Sequence, residues 1–459
     1  MLPLHPRSQL HTITDGHVIT VQIPYCHTPS EDMGDETSPM LLQSKLRDLL
    51  DRRRTNSTLR NLTLPVLDQT DFSSNDFLSL STSPELKSSY LQELQRTSLP
   101  LGSGGSRLLD GNSIYAEQLE QEIACFHGAE SGLFFNSGFD ANAGFFASVP
   151  QPGDVIVYDE LVHASVHDGM RLSRAAKVVA FEHNSVSALK QVLLGLLTEQ
   201  DGVREGRCNV FVALESIYSM DGDVCPLKQM VEVVEEVLGH ERGYIVMDEA
   251  HSTGVLGPEG RGLVCELGLE KRIFARLHTF GKALAANGAI LLGSETLRHY
   301  LINYARPLIY TTFLSYPSLA LIRSSYRLLR SGQSVGLQAH LQSLTQHLYT
   351  SLSRLQRLSD MAHRVLTIPS ACPRSPIFAV QLAKPKVLAS FLQSHSMMVR
   401  AVVPPTVPVG TARVRICLHA GNTFADLERL VELLGEWCES QAAEMLQDNT
   451  LEPVTRAKL

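Results

Sequence analysis

The chain has 459 residues, of which 44% are hydrophobic and 19% charged, with a formal net charge of −8. That length exceeds one ordinary hydrophobic core, so two or three domains are expected. The acidic balance and lack of a basic block argue against nucleic-acid binding. Eight cysteines with no C-x-x-C pair suit neither a disulfide framework nor a zinc site, and no apolar run approaches the ~20 residues that cross a bilayer.

In chain order, residues 1–40 carry Pro, Thr, His and Ser without a sustained period and are expected to form an irregular arm. Leu42, Leu46, Leu49 and Leu50 then recur at helical spacing, beside a basic face of Arg52, Arg53 and Arg54. Two turn-rich clusters follow, Phe72-Ser73-Ser74-Asn75-Asp76-Phe77 and Gly102-Ser103-Gly104-Gly105-Ser106-Arg107. The second either lets backbone approach a ligand closely or is a plain flexible loop.

From 115 to 295, short apolar strands (132–135, 155–158, 178–181, 210–214, 244–247 and 289–292) alternate with helical stretches such as 115–126, 186–197 and 227–238. This predicts an α/β fold with a mostly parallel central sheet covered by helices on both faces. Helical material at 297–329 should break near Pro307 and Pro317. A helix at 335–358, strands at 375–382, 398–403 and 413–417, and a closing helix at 424–441 make a smaller α+β domain. The expected organisation is an arm (1–40), an N-terminal segment of the small domain (41–100), a large domain (101–330), a C-terminal small domain (331–445) and a tail (446–459).

The chemistry centres on His278-Thr279-Phe280-Gly281-Lys282, which ends the run 272–277. A lysine held and partly desolvated at a strand end has a lowered pKa, and its amine becomes a usable nucleophile and base. Asp248 ends the apolar strand 244–247. In parallel sheets ligands bind beyond the carboxyl ends of the strands, where both groups fall. A lysine to anchor an aldehyde and an acid to pair with a pyridinium nitrogen are what a pyridoxal-phosphate enzyme needs.

Asn136-Ser137-Gly138-Phe139 follows a strand and opens an Ala-rich segment, so the amides of Gly138 and Phe139 can hold a phosphate. His163, Ser219 and His251 each follow a strand and can reach the same ring, although with seventeen histidines any one of them is more often structural. Asp248 and Glu249 can equally cap a helix. Of Arg413 and Arg415, one is expected to face the cleft and hold a carboxylate, the other to make a structural contact. Thr406 lies on a proline-fixed loop able to border a substrate.

Together the motifs at 72–76, 102–107, 136–139, 163–165, 219–222, 248–254, 279–282 and 405–415 resemble the α-oxoamine synthase family of fold-type I pyridoxal-phosphate enzymes, over residues 41–437. The resemblance implies that Lys282 bonds to the cofactor aldehyde, Asp248 pairs with the pyridinium nitrogen and His163 stacks on the ring. It places Ser219 and His251 at the ring hydroxyl, and Thr279, Gly138 and Phe139 at the phosphate. Arg60 and Arg415 would bind substrate, with Asn75 and Thr406 bordering it. Thr311 and Thr312 would reach the cofactor of a second subunit in a homodimer.

The implied activity is a decarboxylative condensation of an amino acid with an acyl-CoA, with L-alanine and pimeloyl-CoA as the expected pair, feeding biotin synthesis. Another amino acid or acyl-CoA is the alternative. A catalytically silent partner subunit is a third reading, opposed by the presence of Lys282, Asp248 and His163 together. Gly111-Asn112-Ser113, Ser252 and the arm before Leu41 depart from the family pattern. Ala457-Lys458-Leu459 follows the small-basic-Leu form of a peroxisomal signal, so an import receptor and a peroxisomal location are expected, otherwise a cytoplasmic one.

Overall fold

The computed structural model describes residues 10–14, 17–21, 41–56, 58–64, 68–96 and 98–450. Its backbone divides into two compact units, Met1–Val66 and Leu67–Leu459. The tripeptide at 457–459 lies outside the described residues. In the first unit, β1 (Leu10–Thr14) pairs antiparallel with β2 (His17–Val21), a hairpin inside the stretch expected to be irregular. The helix Leu41–Thr55 has Arg52, Arg53 and Arg54 in its last turn, where the negative end of the helix dipole favours them. Its leucines are exposed.

The second unit begins with the short strand β3 (Thr70–Asp71). Its main sheet is built from β4 (Ser131–Phe135), β5 (Val155–Asp159), β6 (Lys177–Phe181), β7 (Val210–Glu215), β8 (Gly243–Asp248), β9 (Ala275–Thr279) and β10 (Ala289–Gly293). The strand order is β4-β10-β9-β8-β7-β5-β6. β10 runs antiparallel to both neighbours, and the other pairings are parallel. The carboxyl ends of β9, β8, β7 and β5 therefore lie side by side along one edge.

The central strands are buried on both faces, which is why they read as apolar runs rather than alternating ones. Val210, Val212 and Leu214 of β7 join one hydrophobic core, and Phe211 and Ala213 join the other, as the period of two along a strand requires. The first core is covered by the helices Val186–Glu199 and Leu227–Leu238, the second by Gly138–Ser148, Ala164–Leu172 and Glu295–Tyr304. The helical stretch after 297 breaks as its prolines require. Pro307 and Pro317 each sit in the first turn of a new helix, Arg306–Ile309 and Tyr316–Arg330, where a missing N–H costs nothing.

A second sheet of β11 (Ile377–Gln381), β13 (Arg400–Val402) and β14 (Arg413–Cys417) has the order β11-β14-β13 and is antiparallel. β12 (Met397–Met398) pairs parallel with β3, so the 70–77 segment packs with this C-terminal layer. The helices Val335–Leu358 and Phe424–Thr450 complete it. Among the described residues, no helix is long and apolar enough to cross a membrane.

Candidate active site

Four adjacent strand ends put an amine, two carboxyls and an imidazole around one cavity of about 130 Å3. β9 leads to Thr279 and Lys282, β8 ends in Asp248, β7 ends in Glu215, and the loop after β5 brings His163. The helix Gly138–Ser148 closes the cavity with Gly138, Phe139 and Asn142. A larger cavity of about 550 Å3 lies between residues 221–224 and 367–374. It holds no lysine, so chemistry rather than size marks the smaller one as the site.

Asp248 is buried and fixed by two donors: Asn142 Nδ2 donates to Oδ2 at 2.8 Å, and the Ala250 N–H donates to Oδ1 at 2.8 Å. Asn142 also donates to Ser165 Oγ at 3.0 Å, which contacts His163 Nδ1 at 2.8 Å. The Ser165 N–H donates to the same Nδ1 at 3.2 Å, so His163 caps the helix Ala164–Leu172. This leaves Nδ1 an acceptor on a residue that lines the cavity and is exposed as a whole. The His163 N–H donates to Glu215 Oε1. Asp248, Asn142, Ser165, His163 and Glu215 thus form one hydrogen-bonded rim.

Lys282 makes no side-chain hydrogen bond among the described residues. The residue is half-buried, but its amine is desolvated; burial lowers its pKa, against the opposing pull of Asp248 and Glu215. Burial, reinforced by the charge of Asp248, holds Glu215 well above the usual carboxyl range. Burial, with Lys282 and Arg415 adding to it, drops His251 well below the usual imidazole value. His251 is therefore neutral, and its Nδ1 is buried without a hydrogen-bond partner among the described residues.

The expected residues meet in two groups. Lys282, Asp248, His163, His251, Thr279, Gly138 and Phe139 all line the cavity. Arg415 gathers two others: Nη2 donates to Asn75 Oδ1 at 3.0 Å, and Nε donates to the Ser219 carbonyl at 2.6 Å. Its charge acts on both Lys282 and His251.

Thr406 is exposed on its loop, outside the cavity lining. Thr312 is exposed and accepts from Asn136 Nδ2 through its carbonyl at 2.7 Å, while Thr311 Oγ1 faces the same amide at 3.3 Å. Within one chain neither threonine reaches the cavity. Arg60 is exposed in the first unit.

The alternation expected to separate Arg413 from Arg415 is corrected, although Arg415 is the one whose charge acts on Lys282 and Arg413 the one in a structural ion pair. Positions two apart on a strand share a face, and both arginines reach the loop after β7: Arg413 pairs with Asp221 and donates to the Met220 carbonyl at 3.3 Å. Nor does Glu249 cap a helix directly after Asp248. Its buried carboxylate accepts the Leu263 and Val264 N–H groups, each at 2.8 Å, capping the later turn Leu263–Glu266. A Cβ on Gly262 would sit 2.3 Å from Glu249 Oε2, so glycine is needed there.

Sequence reading passed over Asn142, Ser165 and Glu215. Glu215 had a usable signal: like Asp248, it is an acid directly following a fully apolar strand. Asn142 lies four residues beyond Gly138, on the same face of the helix.

The cavity suits pyridoxal phosphate. The N–H groups of Gly138 and Phe139 open a helix whose cap, Ser137, takes the Asp140 N–H instead. They are left as donors at the positive end of the helix, next to Thr279, which lies 3.6 Å from where a Gly138 Cβ would be. The unpartnered His251 Nδ1, the unengaged lysine and the doubly held carboxylate complete the set.

Comparison with known proteins agrees with this geometry. Residues 68–434 match the model of the aminotransferase class I and II family. The chain is 52% identical to an 8-amino-7-oxononanoate synthase of Emericella nidulans over 89% of this chain and 98% of the relative. It is 44% identical to the aminoacyl transferase sphA of Byssochlamys spectabilis, over 79% and 80% respectively. A serine palmitoyltransferase from S. paucimobilis, solved with PLP and myriocin bound, superposes with a TM-score of 0.75 at 25% identity, covering 88% of this chain and 99% of that one.

Proposed function

The chain belongs to the aminotransferase class I and II family, and from that premise we propose the reaction its site performs. It is a pyridoxal-phosphate-dependent acyltransferase that condenses L-alanine with pimeloyl-CoA to give 8-amino-7-oxononanoate, CoA and carbon dioxide, a step of biotin synthesis. The observation carrying this reading is the match to the fungal 8-amino-7-oxononanoate synthase along nearly its whole length.

Pyridoxal phosphate, when bound, supplies an aldehyde for covalent attachment and a pyridine ring that takes up the electron pair released at an amino-acid Cα. The chain's own residues do the rest. Lys282 would hold the aldehyde, and its Nζ, kept partly deprotonated by desolvation, would accept the Cα proton of alanine. Asp248, fixed by Asn142 and the Ala250 N–H, would keep a proton on the ring nitrogen. Gly138, Phe139 and Thr279 would hold the phosphate. His163 offers an imidazole along the cavity wall, and His251 an uncommitted nitrogen inside. Arg415, with Asn75, supplies planar donors for a carboxylate. A stoichiometric release of CoA and carbon dioxide from L-alanine plus pimeloyl-CoA is the expected result; no release above a no-enzyme blank would sink the reading.

The 44% identity to an aminoacyl transferase supports a second reading, in which the chemistry is kept and the amino acid or acyl-CoA differs. Rates for alanine, glycine and serine against a series of acyl-CoAs separate the two. The proposal extends to a homodimer, supported by the exposed Thr312 beside Asn136; sedimentation at two concentrations tests it. The tripeptide Ala457-Lys458-Leu459 supports a peroxisomal address, and deleting it should disperse a fluorescent fusion.

A further inference from the structure

His183 follows β6, the edge strand, two residues past its end, and faces a carboxylate on each side. Its Nδ1 lies 2.8 Å from Asp159 Oδ1 and its Nε2 lies 2.6 Å from Asp223 Oδ2. Carboxylates only accept, so both ring nitrogens must donate and the ring is an imidazolium. The surroundings match: the ring stands edge-on to buried Tyr218 with centroids 4.4 Å apart, and the backbone N–H of His183 donates to Glu160 Oε1 at 3.2 Å. The pair of acids raises the His183 pKa to about 10 against the opposing pull of burial.

The two acids belong to different loops. Asp159 is the last residue of β5 and fully buried, and it accepts the Leu161 N–H at 2.9 Å and the Asn184 N–H at 2.7 Å. The loop it starts carries His163. Asp223 closes the loop after β7, where its carbonyl accepts the Tyr218 N–H at 3.1 Å and Ile217 bridges to Val224. That loop carries Ser219, whose carbonyl accepts from Arg415, and Met220 and Asp221, both contacted by Arg413.

We propose that His183 is a positioning residue, a cationic clip joining the loop that presents His163 to the loop that presents Ser219. The proposal rests on the pyridoxal-phosphate reading, because only under it do His163 and Ser219 serve one site. Asn184 spans the same two acids, its N–H donating to Asp159 and its Nδ2 to Asp223 Oδ2 at 2.5 Å, but it carries no charge. Without the cation the two carboxylates would be left with only that neutral bridge between them, and the loops would move apart.

The test compares wild type with His183→Gln, Asp223→Asn and the double variant. Each apoprotein is titrated with pyridoxal phosphate and followed by visible absorbance, and kcat and KM are measured alongside thermal melting. The expected result is weaker cofactor binding in each single variant, by about 5- to 50-fold, with the double variant no worse than the worse single one. A displaced absorbance maximum should accompany it. Lower melting temperatures with cofactor affinity, absorbance maximum and KM all within about twofold of wild type would reduce His183 to a structural residue and overturn the clip. Should His183→Gln not fold, Asp223→Asn decides by the same readings. A wild-type chain that takes up no pyridoxal phosphate overturns the functional reading itself, a different outcome from a clip that fails in a loaded enzyme.

Discussion

Asn142→Ala tests whether the rim of the cavity is a working network. The Asn142 amide donates to Asp248 Oδ2 at 2.8 Å and to Ser165 Oγ at 3.0 Å, in a site with almost no solvent access. A hydrogen bond to an ionised group contributes about 1.5–3 kcal/mol. Asp248 would keep only the Ala250 N–H, and Ser165 would keep only His163. If that loss falls on cofactor binding, the dissociation constant rises about 10- to 100-fold. Asn142→Asp should be worse still, because it sets a second carboxylate against Asp248 in place of a donor. The assay is titration of each apoprotein with pyridoxal phosphate near neutral pH, followed by the visible band. An Asn142→Ala protein binding as wild type does, or an Asn142→Asp protein binding better than Asn142→Ala, would refute the reasoning.

Further outcomes follow from the same structure. Lys282→Ala should lose the visible band of bound cofactor and essentially all CoA release; normal turnover would show that another group takes the proton. Glu215 has its folded pKa raised well above the unfolded value, so the wild type loses stability as pH rises from about 4.3 through that folded pKa. Glu215→Gln should therefore melt at least as high as wild type at neutral pH, with its advantage shrinking in acid; scanning calorimetry across pH checks this. His183 runs in the same direction, with a folded pKa raised to about 10, but here the partners favour the charged form where burial at Glu215 disfavours it. Its stabilisation is fully present below about pH 6.5 and is lost as pH rises through the folded value, so the gap between wild type and His183→Gln should be widest near pH 6 and close in alkali. Ser252→Ala removes a buried hydroxyl that accepts from Ser216 Oγ at 2.8 Å and donates to Glu249; a loss of about 1–3 kcal/mol by denaturant unfolding is expected.

The sheet could be read from the chain because its strands are buried on both faces. Residues 210–214 and 244–247 have no polar position to disguise them, and the acid or turn that follows marks each carboxyl end. Lys282 and Asp248 were legible for the same reason. What the sequence did not show was lateral order. Strand neighbours β9, β8, β7 and β5 bring Lys282, Asp248, Glu215 and His163 together, yet β5 and β7 are separated in the chain by β6, which pairs at the sheet edge. Only with that order known does Glu215 become a member of the site and His183 a bridge between its neighbours' loops.

The arginine pair shows a different limit. Arg413 and Arg415 lie two apart and share a strand face, and both contact the loop after β7 because β14 runs against it. The helix-start donors were legible from Ser137-Gly138, and the Ala250 N–H on Asp248 is a local contact two residues on, whereas the Asn142 amide comes from a distant helix that no local pattern connects to Asp248.

The central claim is that Lys282 and Asp248 flank one pyridoxal ring. The most direct measurement is reduction of the cofactor-loaded protein with borohydride, which fixes any carbon–nitrogen link, followed by peptide mapping in wild type and Asp248→Asn. The account predicts a pyridoxyl group on Lys282 in the wild type and markedly less labelling at the same residue in the variant. Labelling of a different lysine, or a wild type that retains no label, would contradict it.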